Sequence, residues 1–318
     1  MKVMIHKSMR YVALAVLCTA SALSQTLEDP TADARSLLDA GKIQEAEVIL
    51  RNYLAADPSS ADAHFLLGYT LFRDQKAKES LAEFTAGAKF RRPRAAELKI
   101  VAGDYVILGD YSDAEKWFSQ VVSETPNDAD AWYLLGRTKY NENEFTAAIS
   151  SLEHALTLHP KFVEAENNIG LSWKELNDHD QARAAFQMAI QWQGDAPVDA
   201  QPFLNLGTLL VDDHKDNEAV PFLTKAIALS PANPSAHEEL GKTYLAMDNL
   251  PDAQAELEKA IALAPEISSL HYKLAQILRK EGSIDRAQQE FALCEKLNGA
   301  HSSSKTPNPP PSKSDEPK

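Results

Sequence analysis

The chain has 318 residues, of which 44% are hydrophobic and 25% charged, and its formal net charge is −14. The hydrophobic fraction is sufficient for a core, whereas the acidic balance argues against nucleic-acid binding, which needs clustered lysine and arginine. The absence of an apolar run of about 20 residues argues against an ordinary membrane-spanning helix, and two cysteines cannot form a disulfide scaffold.

The first segment has the features of a secretory signal peptide. Lys2, Lys7 and Arg10 form a basic start without any acidic residue, and the short apolar run 11–18 follows. Small residues come next, as expected before a cleavage site. The sequence therefore predicts a signal peptide over 1–24 and a protein that is exported, either to the periplasm or out of the cell.

Two cleavage sites fit this segment, one after Ser24 and a second after Ala22. An uncleaved anchor and lipidation at Cys18 are the alternatives to cleavage. Removal of 1–24 takes away three basic residues and leaves a mature chain of net charge −17 with Cys294 as its single cysteine. Residues 25–30 are predicted to be a linker.

A period of 34 residues runs through the rest of the chain. One column of small residues recurs every 34 residues, except for one interval of 37, at Gly68, Ala102, Gly136, Gly170, Gly207, Gly241 and Ala275. A second small column lies twelve residues further on, at Ser80, Ala114, Ala148, Ala182, Ala219, Ala253 and Ala287. A large apolar residue follows each of these, at Phe84, Phe118, Leu152, Phe186, Leu223, Leu257 and Phe291. Small residues at a fixed spacing allow helices to approach each other closely.

This pattern resembles the tetratricopeptide repeat (TPR) family, in particular its exported bacterial members. The resemblance implies an all-α solenoid of antiparallel helix pairs that forms a right-handed superhelix. It covers residues 31–298, as one degenerate repeat followed by seven full repeats that start near Ala61, Ala95, Ala129, Val163, Ala200, Pro234 and Ser268.

Two places depart from the regular pattern. Three extra residues lie within 194–199 and are expected to form either a longer surface loop or a bend that divides the solenoid into two arms. Residues 299–318 are polar and rich in proline, which predicts a disordered tail.

No constellation of residues typical of catalysis was found. Lys242 follows a glycine as in a phosphate-binding loop, but the glycine required five residues earlier is replaced by Ala236. The histidines His64, His237 and His271 occupy a packing column, and Cys294 a small core position. The dipeptide Asp212-Asp213 is expected to be a solvated turn. We therefore predict a protein that is not an enzyme and takes no cofactor or metal.

The TPR resemblance also indicates where a partner would bind. In that family the second, fifth, sixth, ninth and twelfth positions of each first helix tend to face a concave groove. The predicted partner-binding residues are Tyr133, Arg137, Tyr140, Asn167, Asn168, Lys174, Asn205, Thr208 and Lys242.

Two asparagines share one column of adjacent repeats, Asn168 and Asn205. Their amides could pair with the backbone of a bound peptide. This is similar to the asparagine ladder in the TPR superhelix of O-linked N-acetylglucosamine transferases, although only two rungs are present here. Solvated helix amides are the alternative. The pattern by which other TPR proteins hold the C-terminal carboxylate of chaperones is absent.

Taken together, these features predict a non-enzymatic scaffold that binds a partner polypeptide segment in the TPR groove. The alternative is an accessory subunit of a cell-envelope assembly or export machine that acts through its ends or convex face. Because the chain is acidic, we expect neutral or basic protein partners whose binding weakens with salt.

Overall fold

The computed structural model describes residues 30–304, and within that range the only regular secondary structure is α-helix. The all-α prediction is confirmed. The chain divides into two compact units between Arg92 and Pro93. The predicted signal peptide and most of the predicted linker and tail lie outside the described residues.

Unit 1 contains two helix pairs in which the second helix runs back along the first. Their bounds are α1 (Pro30–Asp39), α2 (Ile43–Ala56), α3 (Ala61–Arg73) and α4 (Ala77–Ala88). The α1–α2 pair corresponds to the degenerate repeat, and its column residues Ala46 and Leu50 are fully buried. The degenerate repeat therefore packs as the others do, although it lacks the glycine column.

Unit 2 contains six further pairs. Their bounds are α5 (Ala95–Leu108), α6 (Tyr111–Glu124), α7 (Ala129–Asn141), α8 (Phe145–Leu158), α9 (Val163–Glu175), α10 (His179–Gln193), α11 (Gln201–Asp212), α12 (Asp216–Leu229), α13 (Pro234–Ala246), α14 (Leu250–Leu263), α15 (Ser268–Lys280) and α16 (Ile284–Ser304). The first helices begin at the predicted repeat starts, or one residue later in the case of α11. The predicted start of the tail, residue 299, falls inside α16.

The glycine column sets the close approach of the two helices in a pair. A Cβ added at Gly170 would lie only 2.5 Å from the ring of Phe186, the large apolar residue of the same repeat, and one at Gly136 would lie 2.6 Å from Leu152. Both large residues are fully buried. Glycine is present because the facing side chain fills the space that a methyl group would need.

The turn inside each pair contains one residue in the left-handed backbone region. These residues are Gly41, Gln75, Gly109, Asn143, Asn177, His214, Asp248 and Gly282. Left-handed φ reverses the chain directly after a helix and satisfies the last carbonyls. Glycine, asparagine and aspartate tolerate this conformation better than other residues, so Gln75 and His214 carry more strain than the rest.

The three extra residues form a braced loop between α10 and α11. The Gln193 side chain accepts the backbone N–H groups of Val198 and Asp199, at 3.1 and 2.8 Å. Phe186 of α10 and Phe203 of α11 belong to one continuous hydrophobic cluster. The core thus continues past this loop, and the boundary between compact units lies at 92/93 instead. The extra residues therefore form a longer loop beside a hydrophobic core that continues from α10 to α11.

Candidate partner-binding face

In unit 2 the first helices form one layer. From α7 to α15, each first helix contacts the first helix of the next pair directly, whereas the second helices make their main contacts with first helices. In a curved array the layer with the closer spacing is the inner one. We call the inner surface of α7, α9, α11, α13 and α15 the first-helix face; it includes the predicted partner-binding residues.

At one end of this face two aromatic rings and an arginine lie in contact with one another. The ring of Tyr133 lies 4.8 Å from that of Phe162, measured between centroids, and the guanidinium of Arg137 lies 5.6 Å from the Tyr133 centroid. Burial raises the pKa of the Tyr133 phenol and the charge of Glu164 adds to this effect, whereas Arg137 and Asn168 act in the opposite direction. Tyr133 is therefore a neutral, half-buried ring, and Arg137 is exposed beside it.

Tyr140, one helical turn beyond Arg137, connects α7 to α9. Its hydroxyl donates to Glu175 at 3.4 Å, and its ring packs edge-on against Phe145 with 5.5 Å between centroids. Burial and the nearby Glu175 charge both raise the pKa of Tyr140. Tyr140 is therefore held in place and presents part of a neutral ring to the first-helix face.

The asparagines of this face make hydrogen bonds within the chain. Asn205 donates through Nδ2 to Oδ1 of Asn167 at 2.9 Å, which links α11 to α9. Asn167 is buried, with only 5% of its surface exposed. Asn168 donates to the backbone carbonyl of Glu164 at 2.7 Å. The two predicted rungs Asn168 and Asn205 thus each donate one amide N–H within the chain, and Asn167 is a structural residue rather than an accessible one.

The other predicted residues on α9, α11 and α13 are also paired. Thr208 donates its hydroxyl to the carbonyl of Leu204 at 2.9 Å. Lys174 on α9 forms an ion pair with Asp212 on α11, in the next repeat, at 2.8 Å. Lys242 forms an ion pair with Glu239 on its own helix at 2.9 Å. The sequence analysis placed these residues on the face but did not identify the acidic residues that neutralise the lysines.

Three histidines share one arrangement, which sequence reasoning recognised only as a packing column. In each case Nδ1 contacts a glutamate 19 residues later and Nε2 contacts the carbonyl of a proline six residues earlier. The three sets are His64 with Glu83 and Pro58, His237 with Glu256 and Pro231, and His271 with Glu290 and Pro265. The histidines are buried, as predicted, and the recurring glutamate was the signal that could have revealed their partners.

The turn aspartate Asp213 is not the solvated residue that the sequence predicted. Its carboxylate contacts His179 at 2.5 Å and forms ion pairs with Arg183 and Lys215. Two of these basic groups come from α10 and the third from the turn before α12. Burial alone would raise the pKa of Asp213, but the bonds from His179 and Lys215 lower it. Asp213 therefore joins the turns of two adjacent repeats.

Within residues 30–304, no three histidine, cysteine, aspartate or glutamate side chains are grouped as metal ligands. Over the same described range, no helix combines the length and apolar character needed to cross a bilayer. Cys294 is buried and carries a free thiol.

Comparison with known families identifies the repeat. Tetratricopeptide repeat profiles match residues 31–97, 102–148 and 133–200, and further profiles of the same repeat match 210–271 and 268–301. The chain belongs to the tetratricopeptide repeat family.

The relatives found by sequence are much longer proteins. Human protein O-mannosyl-transferase TMTC3 is 25% identical over 189 residues, which make up 59% of this chain and 21% of that protein. The anaphase-promoting complex subunit CDC16 of Saccharomyces cerevisiae is 23% identical over 202 residues, or 61% of this chain and 24% of that protein. The chain spans about a quarter or less of the length of these two relatives.

Solved structures show the same fold. A tetratricopeptide repeat protein from Parabacteroides merdae superposes with a TM-score of 0.64 at 19% identity, covering 79% of this chain and 98% of that one. The anaphase-promoting complex assembly Cut9–Hcn1 superposes with a TM-score of 0.60 at 17% identity, covering 88% of this chain and 55% of that one. At these identities the similarity shows the TPR solenoid fold and no more.

Proposed function

We propose that this TPR protein is a non-enzymatic scaffold that binds a segment of a partner protein on the first-helix face of unit 2. The observation that carries the proposal is the cluster in which the exposed Arg137 lies over the half-buried Tyr133, which is itself supported by Phe162 on the inner layer of helices. Tyrosine and arginine are enriched among the residues that dominate binding energy at protein interfaces.

The family supports the same conclusion. A repeat protein of stacked helix pairs offers an extended surface, and family members such as the anaphase-promoting complex subunits are parts of multiprotein assemblies by name. On the inner face, the side chains are held by their own hydrogen bonds, which reduces the entropy lost when a partner is bound.

The test uses random peptides displayed on phage, selected on the purified full chain, followed by affinity measurement with the selected peptides. The blocking variant is Thr208→Arg, which places a long charged side chain in the middle of the first-helix face. Its matched control is Thr224→Arg, the same change at an exposed position of the second helix α12. Circular dichroism verifies that both variants keep their helical content.

We expect Thr208→Arg to weaken peptide binding by at least about tenfold, which corresponds to about 1.4 kcal/mol, and Thr224→Arg to leave binding within about twofold. If Thr224→Arg weakens binding and Thr208→Arg does not, the first-helix face is not the site. That outcome would favour the alternative role, an accessory subunit of an envelope assembly or export machine that binds through its convex face or ends.

We further propose that the protein is exported, on the basis of the basic and apolar segments of residues 1–24. Expression of the full chain in a Gram-negative bacterium, followed by cell fractionation and N-terminal sequencing, tests this. We expect a periplasmic product that begins at Gln25, or at Leu23 for the second cleavage site. An intact N-terminus in the cytoplasmic fraction would overturn the proposal.

A further inference from the structure

The charges on the first-helix face are distributed unevenly. Around α13 and α15 the lysines are neutralised within the chain, since Lys273 pairs with Glu238 at 2.6 Å and Lys242 with Glu239 at 2.9 Å. Lys174 on α9 is likewise paired with Asp212. Paired charges are already satisfied, so a ligand gains little from them.

Arg137 is different. In the part of the chain that the structure describes, its guanidinium has no carboxylate within 4.0 Å, and it lies exposed over the ring of Tyr133. Arg137 also bonds to the Tyr133 hydroxyl. A guanidinium has five N–H groups, and those that remain can bind both oxygens of a carboxylate. The position therefore fits an acidic side chain of the bound segment.

Two exposed carboxylates lie on the same surface as Arg137. Asp130 is seven residues earlier on α7, which is the spacing of one helical face, and Glu164 occupies the matching position of α9. Neither carboxylate has a basic group within 4.0 Å among residues 30–304. These carboxylates fit a basic side chain of the bound segment.

The separation of the two subsites sets the spacing in the ligand. Seven residues of α-helix span about 10 Å, from Asp130 to Arg137. In an extended peptide, about 10 Å corresponds to three residues. Side-chain lengths broaden this value by about one residue in either direction.

We infer that the partner segment carries an acidic residue bound by Arg137 and a basic residue, two to four positions away, bound by Asp130 and Glu164. This inference rests on the proposed function and specifies its partner. A segment with basic residues alone would place a positive charge against Arg137, and a segment with acidic residues alone would meet Asp130 and Glu164. Charge complementarity thus selects a mixed-charge segment, which specifies further the neutral or basic partner expected from the net charge.

The experiment compares three proteins in the same selection of displayed random peptides: the full wild-type chain, Arg137→Glu and Arg286→Glu. Arg286 is the matched control because it is also an exposed arginine but lies on the second helix α16, outside the first-helix face. Arg137 is exposed, so its replacement leaves the fold intact, which circular dichroism verifies. One synthetic peptide from the wild-type selection is then compared with a version in which its acidic residue is replaced by lysine.

We expect the wild-type chain and Arg286→Glu to enrich peptides with an acidic and a basic residue two to four positions apart. Arg137→Glu is expected to bind the original peptide at least about tenfold more weakly and to recover binding with the lysine-substituted peptide. Enrichment of purely basic or uncharged peptides, or an unchanged preference of Arg137→Glu, overturns the inference while leaving groove binding intact. If no peptide is enriched by any of the three proteins, or if binding survives Thr208→Arg, the proposed function itself fails.

Discussion

Two stretches of unit 2 have the same repeat architecture but differ in how their polar groups are satisfied. We call α7–α10 the open stretch and α13–α16 the paired stretch. In the paired stretch, the lysines and histidines of the first helices all contact carboxylates, as in Lys273 with Glu238, His237 with Glu256 and Lys280 with Asp248. In the open stretch, Arg137 has no carboxylate partner within the described chain and Trp132 takes the place of the buried histidine.

The difference indicates how one repeat unit can be used for stability or for recognition. A polar group that is bonded inside the chain stabilises the fold but offers little to a ligand. A polar group held in place without a partner contributes less to the fold and more to binding. The paired stretch should therefore be more sensitive to changes in its buried polar groups, and the open stretch should determine which partner is bound.

The largest effect is expected for His237→Phe in the paired stretch. Phenylalanine preserves the ring but removes the contacts to Glu256 at 2.6 Å and to the Pro231 carbonyl at 3.1 Å. Loss of partners for two partly buried acceptors should lower the free energy of unfolding by about 2–3 kcal/mol. Urea denaturation measures the loss, and hydrogen exchange localises it to α13 and α14.

Trp132→Phe is the matched change in the open stretch. The indole N–H of Trp132 donates to the Pro126 carbonyl at 2.9 Å, and the side chain is only half-buried. One exposed hydrogen bond contributes about 1 kcal/mol or less. Equal losses for His237→Phe and Trp132→Phe would contradict the distinction between the two stretches.

A smaller difference in the opposite direction is expected from the glycine column, because the open stretch has the tighter apolar contact. A Cβ at Gly170 would lie 2.5 Å from the rigid ring of Phe186, whereas a Cβ at Gly241 would lie 2.9 Å from Leu257. We expect Gly170→Ala to destabilise the protein by about 1–2 kcal/mol, after the gain of about 1 kcal/mol in helix propensity is subtracted.

For Gly241→Ala the steric and propensity effects should nearly cancel, within about 0.5 kcal/mol. Thermal unfolding of the two variants, followed by circular dichroism, provides the comparison. A greater loss for Gly241→Ala than for Gly170→Ala would show that the aromatic ring moves aside more readily than the leucine does.

Much of this architecture was visible in the sequence, because side-chain size repeats with the period of the fold. The small residue of each first helix and the large residue of each second helix touch one another in the structure, as Gly136 and Leu152 do. The left-handed turns were equally visible, since Gly109, Asn143 and Asn177 stand 34 residues apart. Sequence reasoning did not use that column.

The site was harder to predict, because a repeat position fixes the side of a helix but not the partner that a side chain finds. Asn167 and Tyr133 hold the same position in adjacent repeats. Asn167 is nevertheless buried and bonded to Asn205, whereas the half-buried ring of Tyr133 contacts the ring of Phe162. The division at 92/93 was also missed, because the 34-residue period continues unchanged across it. The 34-residue spacing determines where each repeat begins, but it contains no information on how closely neighbouring helices pack.

The two stretches should also respond oppositely to pH through their half-buried glutamates. Burial alone would raise the pKa of Glu256 in the paired stretch, but the bonds from Lys259 and His237 lower it below its ordinary value. Ionised Glu256 therefore stabilises the fold at neutral pH, and this contribution is lost as the pH falls through the lowered pKa. We expect Glu256→Gln to reduce stability by about 1 kcal/mol at neutral pH. Urea titrations at several pH values should show this deficit shrinking in acid, and a deficit that grows in acid would contradict the assignment.

The smallest effect is expected for Glu166→Gln in the open stretch, and its sign is reversed. Burial raises the pKa of Glu166, and the negative charge of Glu153 raises it further, with no basic group to compensate. The folded protein therefore holds the Glu166 proton more tightly than the unfolded chain, so stability is lost as the pH rises through the raised pKa.

Replacing Glu166 by glutamine removes this cost of ionisation, and the melting temperature at neutral pH should rise by about 1 °C. The gain should vanish at a pH below the ordinary glutamate range, where the wild-type carboxyl is protonated in both states. A gain from Glu166→Gln that persists in acid would mean that the packing of the amide, and not the removed charge, produces it.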